Sequence, residues 1–246
     1  IDPSLAEGGH LHDGTVAAAL GLGGIPSLAE ETIVARDLDL AARTGVHYHL
    51  QHVSAAGSIE LLRNARRAGA TVTAEVTPHH LAFDHTDVAS GDTHYKMMPP
   101  LRTPADMSAL RRALVDGSID VVATDHAPHS REEKAQDFSL APNGVTGLEW
   151  AAAVVNSVVG LDIATFFDRL SITPALIGRI ADHGRVVTPG APANLVVFDP
   201  AGEYLAETTR SRSANAPYLG KRWRGVVRAT MLRGRLTHQA GEEGRS

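Results

Sequence analysis

The 246-residue sequence contains no cysteine, and this absence limits its chemistry. Without cysteine there are no disulfides and no thiolate ligands, so a bound metal must be held by imidazole and carboxylate groups. This composition is typical of a cytoplasmic protein, and we expect that location. Long apolar runs are also absent; none approaches the roughly 20 residues that span a bilayer, so we expect no membrane partner.

An excess of positive charge is missing as well. The sequence has 23 Lys and Arg against 28 Asp and Glu, with a net charge of -5, and its basic residues are scattered. No basic field attracts nucleic acid, so we expect none as a partner. A content of 43% hydrophobic and 21% charged residues is typical of a globular chain with a sizeable core. The opening residues, Ile1 to Ser4, lack the features of a signal peptide, and we interpret them as the interior of a longer sequence.

Short apolar strands alternate with longer helices over the first half of the chain. Strand patterns cover residues 46–53, 71–76 and 120–124, and helical spacing covers residues 27–43, 58–68 and 104–116. Helical connections of this length place consecutive strands parallel, which predicts an α/β fold. Three strands are too few to close a sheet into a barrel.

The second half has a different pattern. A helical region over residues 147–180 is followed, from Gly184, by a sequence rich in turn residues. It predicts a strand at 195–198, a turn at 199–202 and a hairpin of 225–233 with 235–238 around Gly234. We therefore expect a small β appendage.

All three predicted parallel strands end in polar clusters. These clusters are Gln51 to Ser54, Thr77 to His80, and Thr124 to His129. Chemistry in α/β folds gathers at the carboxyl ends of the strands, so the clusters predict a site there.

His52 and Asp125 are the candidate metal ligands in these clusters. Imidazole and carboxylate suit a zinc-type ion, and a carboxylate near the bound water can act as general base. A carboxylate buried behind an apolar strand is costly unless a cation or hydrogen bonds compensate for it. Two alternatives remain open: His52 hydrogen-bonds locally, as strand histidines often do, or Asp125 caps a helix.

Four motifs resemble bacterial dihydroorotases when they are taken in order. They are Gln51-His52-Val53-Ser54, Ala74-Glu75-Val76-Thr77-Pro78-His79-His80-Leu81, Pro99-Pro100-Leu101-Arg102 and Ala123-Thr124-Asp125-His126-Ala127-Pro128-His129. The tail is similar to the same family at residues 190–199, 213–218 and 232–234, so the likeness covers essentially the whole chain. Each motif alone is moderately specific, whereas the ordered set is strong.

The resemblance implies the C-terminal part of a (β/α)8 TIM-type metal-dependent hydrolase barrel. Residues 1–184 would carry barrel strands six to eight, and residues 185–246 the C-terminal part of a composite β-sandwich. His52 matches the family's ligand on the sixth strand and Asp125 its ligand on the eighth. The other ligands, a His-x-His pair, an acidic or carboxylated lysine residue and a fifth-strand histidine, would precede Ile1. One or two zinc ions are implied for the complete enzyme.

The implied reaction is reversible ring closure of N-carbamoyl-L-aspartate to dihydroorotate, a step of pyrimidine synthesis. In the hydrolytic direction, Asp125 would take a proton from the metal-activated water and return it to the leaving amide nitrogen. The resemblance assigns substrate binding to His129, Asn143 and Gly144. Met98 occupies the position of a substrate-binding asparagine and cannot replace its hydrogen bond. Asn143 also departs from the family, which has phenylalanine there.

Roles for His79, His80 and Lys96 do not follow from the motifs. For the two histidines, packing or hydrogen bonding competes with catalysis. With this part of the metal site alone, we expect the 246-residue chain to be inactive.

Two other functions remain open. One is a different cyclic amidohydrolase, acting on a hydantoin, a dihydropyrimidine or allantoin. The other is a non-catalytic homologue that serves as a structural partner of an aspartate transcarbamoylase. Apart from its small-molecule substrate, we expect the protein to form a homo-oligomer.

Overall fold

The computed structural model describes residues 1–241, in which eight strands fall into three sheets. The strands are β1 (Gly9–His12), β2 (Gly23–Ile25), β3 (Tyr48–Leu50), β4 (Val72–Val76), β5 (Val121–Val122), β6 (Leu195–Leu205), β7 (Arg222–Leu232) and β8 (Arg235–Gln239). The helices are α1 (Thr15–Leu20), α2 (Leu28–Thr44), α3 (Ala56–Arg67), α4 (Pro78–Ala82), α5 (Pro104–Asp116), α6 (Arg131–Lys134), α7 (Ala151–Val158), α8 (Ile163–Phe167) and α9 (Thr173–Ile177). Short 3-10 turns, His85–Val88 and Thr93–Tyr95, follow α4, and a π-helical turn, Asp168–Ile172, joins α8 to α9.

The central sheet has the order β3-β4-β5, and both pairs are parallel. Leu50 lies opposite Ala74, and Val76 lies opposite Val122. The parallel sheet predicted from three strands is therefore confirmed, although β3 and β5 are shorter than predicted. Because all three strands run in one direction, their carboxyl ends share one edge.

The glycine-rich opening forms a strand pair that the sequence patterns do not predict. β1 and β2 are parallel, with Gly9 opposite Gly23. A Cβ atom on Gly23 would lie 2.0 Å from the carbonyl oxygen of Gly8, so the two backbones approach too closely for a side chain. Glycine has a low strand propensity, and for this reason the pair has no apolar alternation to reveal it.

Local signals set the bounds of α5. Thr103 accepts from the Asp106 backbone amide, the Asp106 carboxylate accepts from the Thr103 amide, and Pro104 occupies the first turn. This capping box satisfies two backbone amides at the helix start, and Gly117 ends the helix in the left-handed conformation. The predicted helix of residues 104–116 is confirmed at both ends.

The apolar faces of the parallel strands pack against the surrounding helices. Val72, Ala74 and Val76 of β4 are buried, and they lie in one cluster with residues of α2, α3 and α5. Fully burying a Val, Leu or Ile side chain contributes about 1.5 to 3 kcal/mol relative to exposure. The alternate residues Thr73 and Glu75 project to the opposite face, which is polar.

The C-terminal segment forms an antiparallel sheet of order β6-β7-β8. The hairpin predicted around Gly234 is confirmed, and Arg233 and Gly234 both have positive φ, as a two-residue hairpin turn requires. The turn predicted at 199–202 is instead an irregularity within the long strand β6, where Asp199 accepts from the Ala201 and Gly202 amides. Residues 242–246 lie outside the described residues.

Candidate active site

The candidate metal ligands follow the two outer strands of the parallel sheet. His52 comes after β3 and Asp125 after β5, with β4 between these strands. Both residues have a left-handed backbone, with φ of 35° for His52 and 44° for Asp125. Few residues other than glycine adopt this conformation, although Asp and His do so more often than most, and such positions cluster at functional sites. Arg179 and Arg233 share it in this chain.

The imidazole of His52 has a ring nitrogen without a protein partner. Its Nδ1 is buried and makes no hydrogen bond, while its backbone amide donates to Glu75 Oε1 at 3.3 Å. The other oxygen of Glu75 lies 3.1 Å from His49 Nε2. His49 therefore hydrogen-bonds within the sheet, as does His47 through Thr73. His52 instead keeps a ring nitrogen available as a metal ligand.

Glu30 fixes the chain that follows His52. This buried carboxylate of α2 accepts from the backbone amides of Ser54 and Ala55 at 3.1 and 3.0 Å, and from the Ser54 and Ser58 hydroxyls. It supplies the N-terminal acceptor of α3, because Ala55 at the N-cap position has no side-chain acceptor. Arg102 also donates to Ser54 Oγ, at 3.1 Å. Glu30 lies outside the sequence motifs, and Glu75 lies inside one that gave it no role.

The two histidines after β4 have different surroundings. His80 contacts Thr77 Oγ1 with Nδ1 and the Pro99 carbonyl with Nε2, at 2.8 and 3.0 Å, and burial lowers its pKa to about 4. His79 is completely buried and neither ring nitrogen has a partner. Burial, followed by the nearby His80 and His52, holds the pKa of His79 well below its usual range. His80 therefore has a hydrogen-bonding role, and His79 remains unpaired.

Asp125 is exposed, so the expectation of a buried carboxylate was wrong. Strand β5 ends at Val122, and the left-handed residue turns the chain out of the sheet. The helix-cap alternative was also wrong. The next helix, α6, begins six residues later and is capped by Ser130, which forms a capping box with Glu133.

Three candidate substrate-binding residues lie together beyond β5. His129 Nε2 is 2.8 Å from the carbonyl oxygen of Asn143, and a Cβ atom on Gly144 would lie 3.0 Å from the same nitrogen. With φ of 133°, Gly144 has a conformation that a side chain would strain. Met98 is half-buried, and two residues before it the Lys96 carbonyl accepts from the Gly144 amide at 3.0 Å.

Two buried lysines hold this region through backbone carbonyl groups. Lys96 Nζ donates to the carbonyl oxygens of Phe138, Ser139 and Ala141 at 2.5, 3.3 and 2.6 Å. Lys134 Nζ donates to those of Lys96, Pro142 and Gly144 at 3.3, 3.0 and 3.1 Å. Burial, reinforced by the neighbouring Lys96 charge, lowers the pKa of Lys134 to about 8. These contacts give Lys96 a structural role that its motif did not reveal.

The donor atoms fit part of a zinc site. The buried, unpaired Nδ1 of His52 and the carboxylate of Asp125 are ligand types that zinc takes, but a catalytic zinc normally has three protein ligands. Within residues 1–241, no group of three or more His, Asp or Glu residues is arranged to hold a metal ion. Within the same residues, no helix has the length and apolar composition to cross a membrane.

Comparisons with known proteins identify the family of this chain. A sequence profile of the Amidohydrolase family matches residues 7–237. A curated dihydroorotase of Streptomyces coelicolor is 48% identical over 242 residues, which are 96% of this chain and 56% of the relative. A dihydroorotase of Mycobacterium tuberculosis is 44% identical over 247 residues, 98% of this chain and 57% of the relative. The chain thus spans about half the length of the curated relatives it matches.

Solved structures of cyclic amidohydrolases share the fold. L-Hydantoinase (dihydropyrimidinase) from Arthrobacter aurescens matches with a TM-score of 0.84 and 26% identity, over 96% of this chain and 53% of its own. Dihydropyrimidinase from Brevibacillus agri matches with a TM-score of 0.80 and 27% identity, over 96% of this chain and 53% of its own. These matches confirm the predicted fold class, a TIM-type barrel part followed by a β segment.

Proposed function

This chain belongs to the amidohydrolase family, and from that premise we propose that its protein is a dihydroorotase, which interconverts N-carbamoyl-L-aspartate and dihydroorotate. The observation that carries the proposal is the pair of left-handed residues His52 and Asp125 at one edge of the parallel sheet, where His52 keeps a buried nitrogen unpaired. The names of the curated relatives, at 44% and 48% identity, supply the substrate.

In this proposal His52 and Asp125 hold zinc together with ligands from outside the described residues. Zinc, as one or two ions, supplies a Lewis acid for the ring carbonyl and lowers the pKa of the attacking water. In the hydrolytic direction Asp125 would take the proton of that water and return it to the amide nitrogen that leaves. In ring closure it would take the proton of the attacking nitrogen and return it to the departing water. Its exposure suits this role, because the carboxylate is not committed to a hydrogen bond within the sheet.

Substrate binding falls to the region around His129 and Gly144 in this proposal. The Gly144 conformation allows a ligand to approach the backbone closely, and His129 lies beside it. Met98 adds an apolar contact in place of the asparagine that the resemblance implies. We also propose residues 1–184 as barrel and 185–246 as sandwich, and a cytoplasmic homo-oligomer, with aspartate transcarbamoylase as a further partner.

The test is turnover by the complete gene product loaded with zinc. Cyclisation of N-carbamoyl-L-aspartate is expected to exceed hydrolysis of hydantoin, dihydrouracil and allantoin. Faster hydrolysis of one of these three substrates would identify the protein as another cyclic amidohydrolase. No turnover of any of the four substrates would support the non-catalytic alternative.

Asp125→Asn is expected to reduce turnover by about 10²- to 10⁴-fold, because the amide cannot accept the proton. The matched control is Asp137→Asn, an exposed carboxylate on the segment after α6, which is expected to retain wild-type turnover. Circular dichroism of both variants checks that the fold is intact, and zinc content distinguishes loss of the metal from loss of the proton acceptor. Wild-type turnover in Asp125→Asn would remove this residue from the proton transfer.

A further inference from the structure

Asn215 joins the C-terminal segment to the candidate substrate-binding region through four hydrogen bonds. Its Oδ1 accepts from the His129 backbone amide at 3.2 Å, and its Nδ2 donates to the carbonyl oxygens of Ala127 and Gly144 at 2.9 and 3.0 Å. Its own carbonyl accepts from the Thr146 amide at 2.9 Å. Asn215 is only 2% exposed, so its side-chain amide is shielded from solvent and depends on these protein partners.

The side chain spans two backbone segments that lie next to each other. His126 and Val145 form a parallel bridge, and the Ala127 amide donates to the Val145 carbonyl at 2.9 Å. An amide has one acceptor oxygen and two donor hydrogens in a plane, and Asn215 uses all of them across this pair. One planar group thus adds three hydrogen bonds to the backbone bridge that joins the two segments.

The two segments depend on Asn215 to different degrees. Gly144 keeps two other anchors, since its carbonyl also accepts from Lys134 and its amide donates to Lys96. The backbone amide of His129 has Asn215 as its partner, so removing the side chain leaves this amide unpaired, while the bond from the Ala127 amide to Val145 and the contact of His129 Nε2 with Asn143 remain.

We propose that Asn215 is a positioning residue of the active site, which sets the separation between His129 and Gly144 without contacting the substrate. This inference rests on the proposed function for its substrate. A positioning role for Asn215 makes the C-terminal segment a part of the site, because the residues that support a binding site must hold its side chains to within about 0.5 Å.

The test uses Asn215→Ala and Asn215→Asp in the complete zinc-loaded gene product. Asn215→Asp is nearly isosteric and keeps the acceptor for the His129 amide while losing both donors, so it serves if the alanine variant does not fold. For both variants we expect the KM for N-carbamoyl-L-aspartate to rise about tenfold with a smaller change in kcat, as for lost ground-state binding. A KM within twofold of wild type in a folded variant would overturn the proposal.

Asn194→Ala is the matched control. Asn194 lies in the same C-terminal half and makes the same kinds of bond, from Nδ2 to the Asp182 carbonyl and from the Arg233 amide to Oδ1, both at 2.8 Å. It does not contact the substrate-binding region, so its KM is expected to stay at the wild-type value. An equal rise in KM for Asn194→Ala would make the effect a general one and overturn the positioning role.

Amide hydrogen exchange separates this inference from the proposed function. In Asn215→Ala the His129 amide is expected to exchange faster, by about tenfold or more, whereas the Gly144 amide keeps its protection through Lys96. If the wild-type protein turns over no N-carbamoyl-L-aspartate, the proposed function fails, and the exchange pattern still decides whether Asn215 positions His129. Unchanged exchange at His129 would overturn the inference even in an active enzyme.

Discussion

Single residues at the end of β4 couple the fold to pH. His79 is neutral in the folded chain because burial holds its pKa well below 6.5, and His80 behaves in the same way with a pKa of about 4. Between these folded values and 6.5, the unfolded chain binds protons that the folded chain does not. Stability therefore rises with pH through this window and is lost as the pH falls below 6.5.

His79→Leu is expected to weaken this dependence, because leucine fills the buried position without a group to protonate. The free energy of unfolding should fall less from pH 7.0 to 5.5 than in wild type, by about 1 kcal/mol. Urea unfolding of the zinc-free gene product at the two pH values measures this difference in the free energy of unfolding. His183→Leu is the control, because this exposed imidazole is hydrated in the folded and the unfolded chain. Equal pH dependence of wild type and His79→Leu would contradict the burial argument.

At the level of elements, α2 caps α3 through Glu30. Glu30→Gln leaves one side-chain oxygen where two accepted four hydrogen bonds, so the free energy of unfolding is expected to fall by about 1.5 to 3 kcal/mol. Because Ser54 follows His52 by two residues, zinc affinity should fall as well. Urea unfolding and zinc titration of the complete gene product measure the two effects.

Glu31→Gln provides the comparison for this prediction. Burial, together with the neighbouring carboxylates of Glu30 and Asp106, raises the pKa of Glu31. Replacing it with a neutral amide removes this repulsion, so no loss of stability is expected. A loss as large as that of Glu30→Gln would mean that charge on α2, and not the cap, stabilises the start of α3.

At the scale of the whole molecule, the described residues leave open edges and apolar surface. Within residues 1–241, β3 and β5 each pair on one side alone, and Leu148, Leu176, Val186 and Val187 are at least 67% exposed. Unpaired strand edges and exposed apolar side chains favour association with another chain. The two proposed metal ligands, His52 and Asp125, are also fewer than the three protein ligands that a catalytic zinc normally has, and residues 1–241 contain no cluster of three.

The 246-residue chain expressed alone is therefore expected to be poorly soluble or oligomeric and to lack dihydroorotase activity. Co-expression with the N-terminal segment that the family resemblance implies should restore solubility and turnover. Light scattering after size exclusion, zinc content and cyclisation of N-carbamoyl-L-aspartate are the measurements. A soluble, zinc-dependent monomer that forms dihydroorotate would overturn this expectation.

The sequence by itself determined the elements whose signals are local. Both ends of α5 follow from Thr103, Pro104, Asp106 and Gly117, and the strand patterns place His52 and Asp125 at strand ends. The role of His129 and its neighbours came only through the family resemblance. These predictions succeed because caps, turns and apolar periodicity depend on residues within one or two turns of each other.

Only the tertiary structure decided which distant groups support the site. Glu75 reaches His52 across 23 residues, Glu30 reaches Ser54 across 24, and Asn215 reaches His129 across 86. The exposure of Asp125 likewise depends on where the chain turns after β5. A buried polar group must find a partner, but its sequence neighbours do not specify which one, because packing brings the partner from elsewhere in the chain.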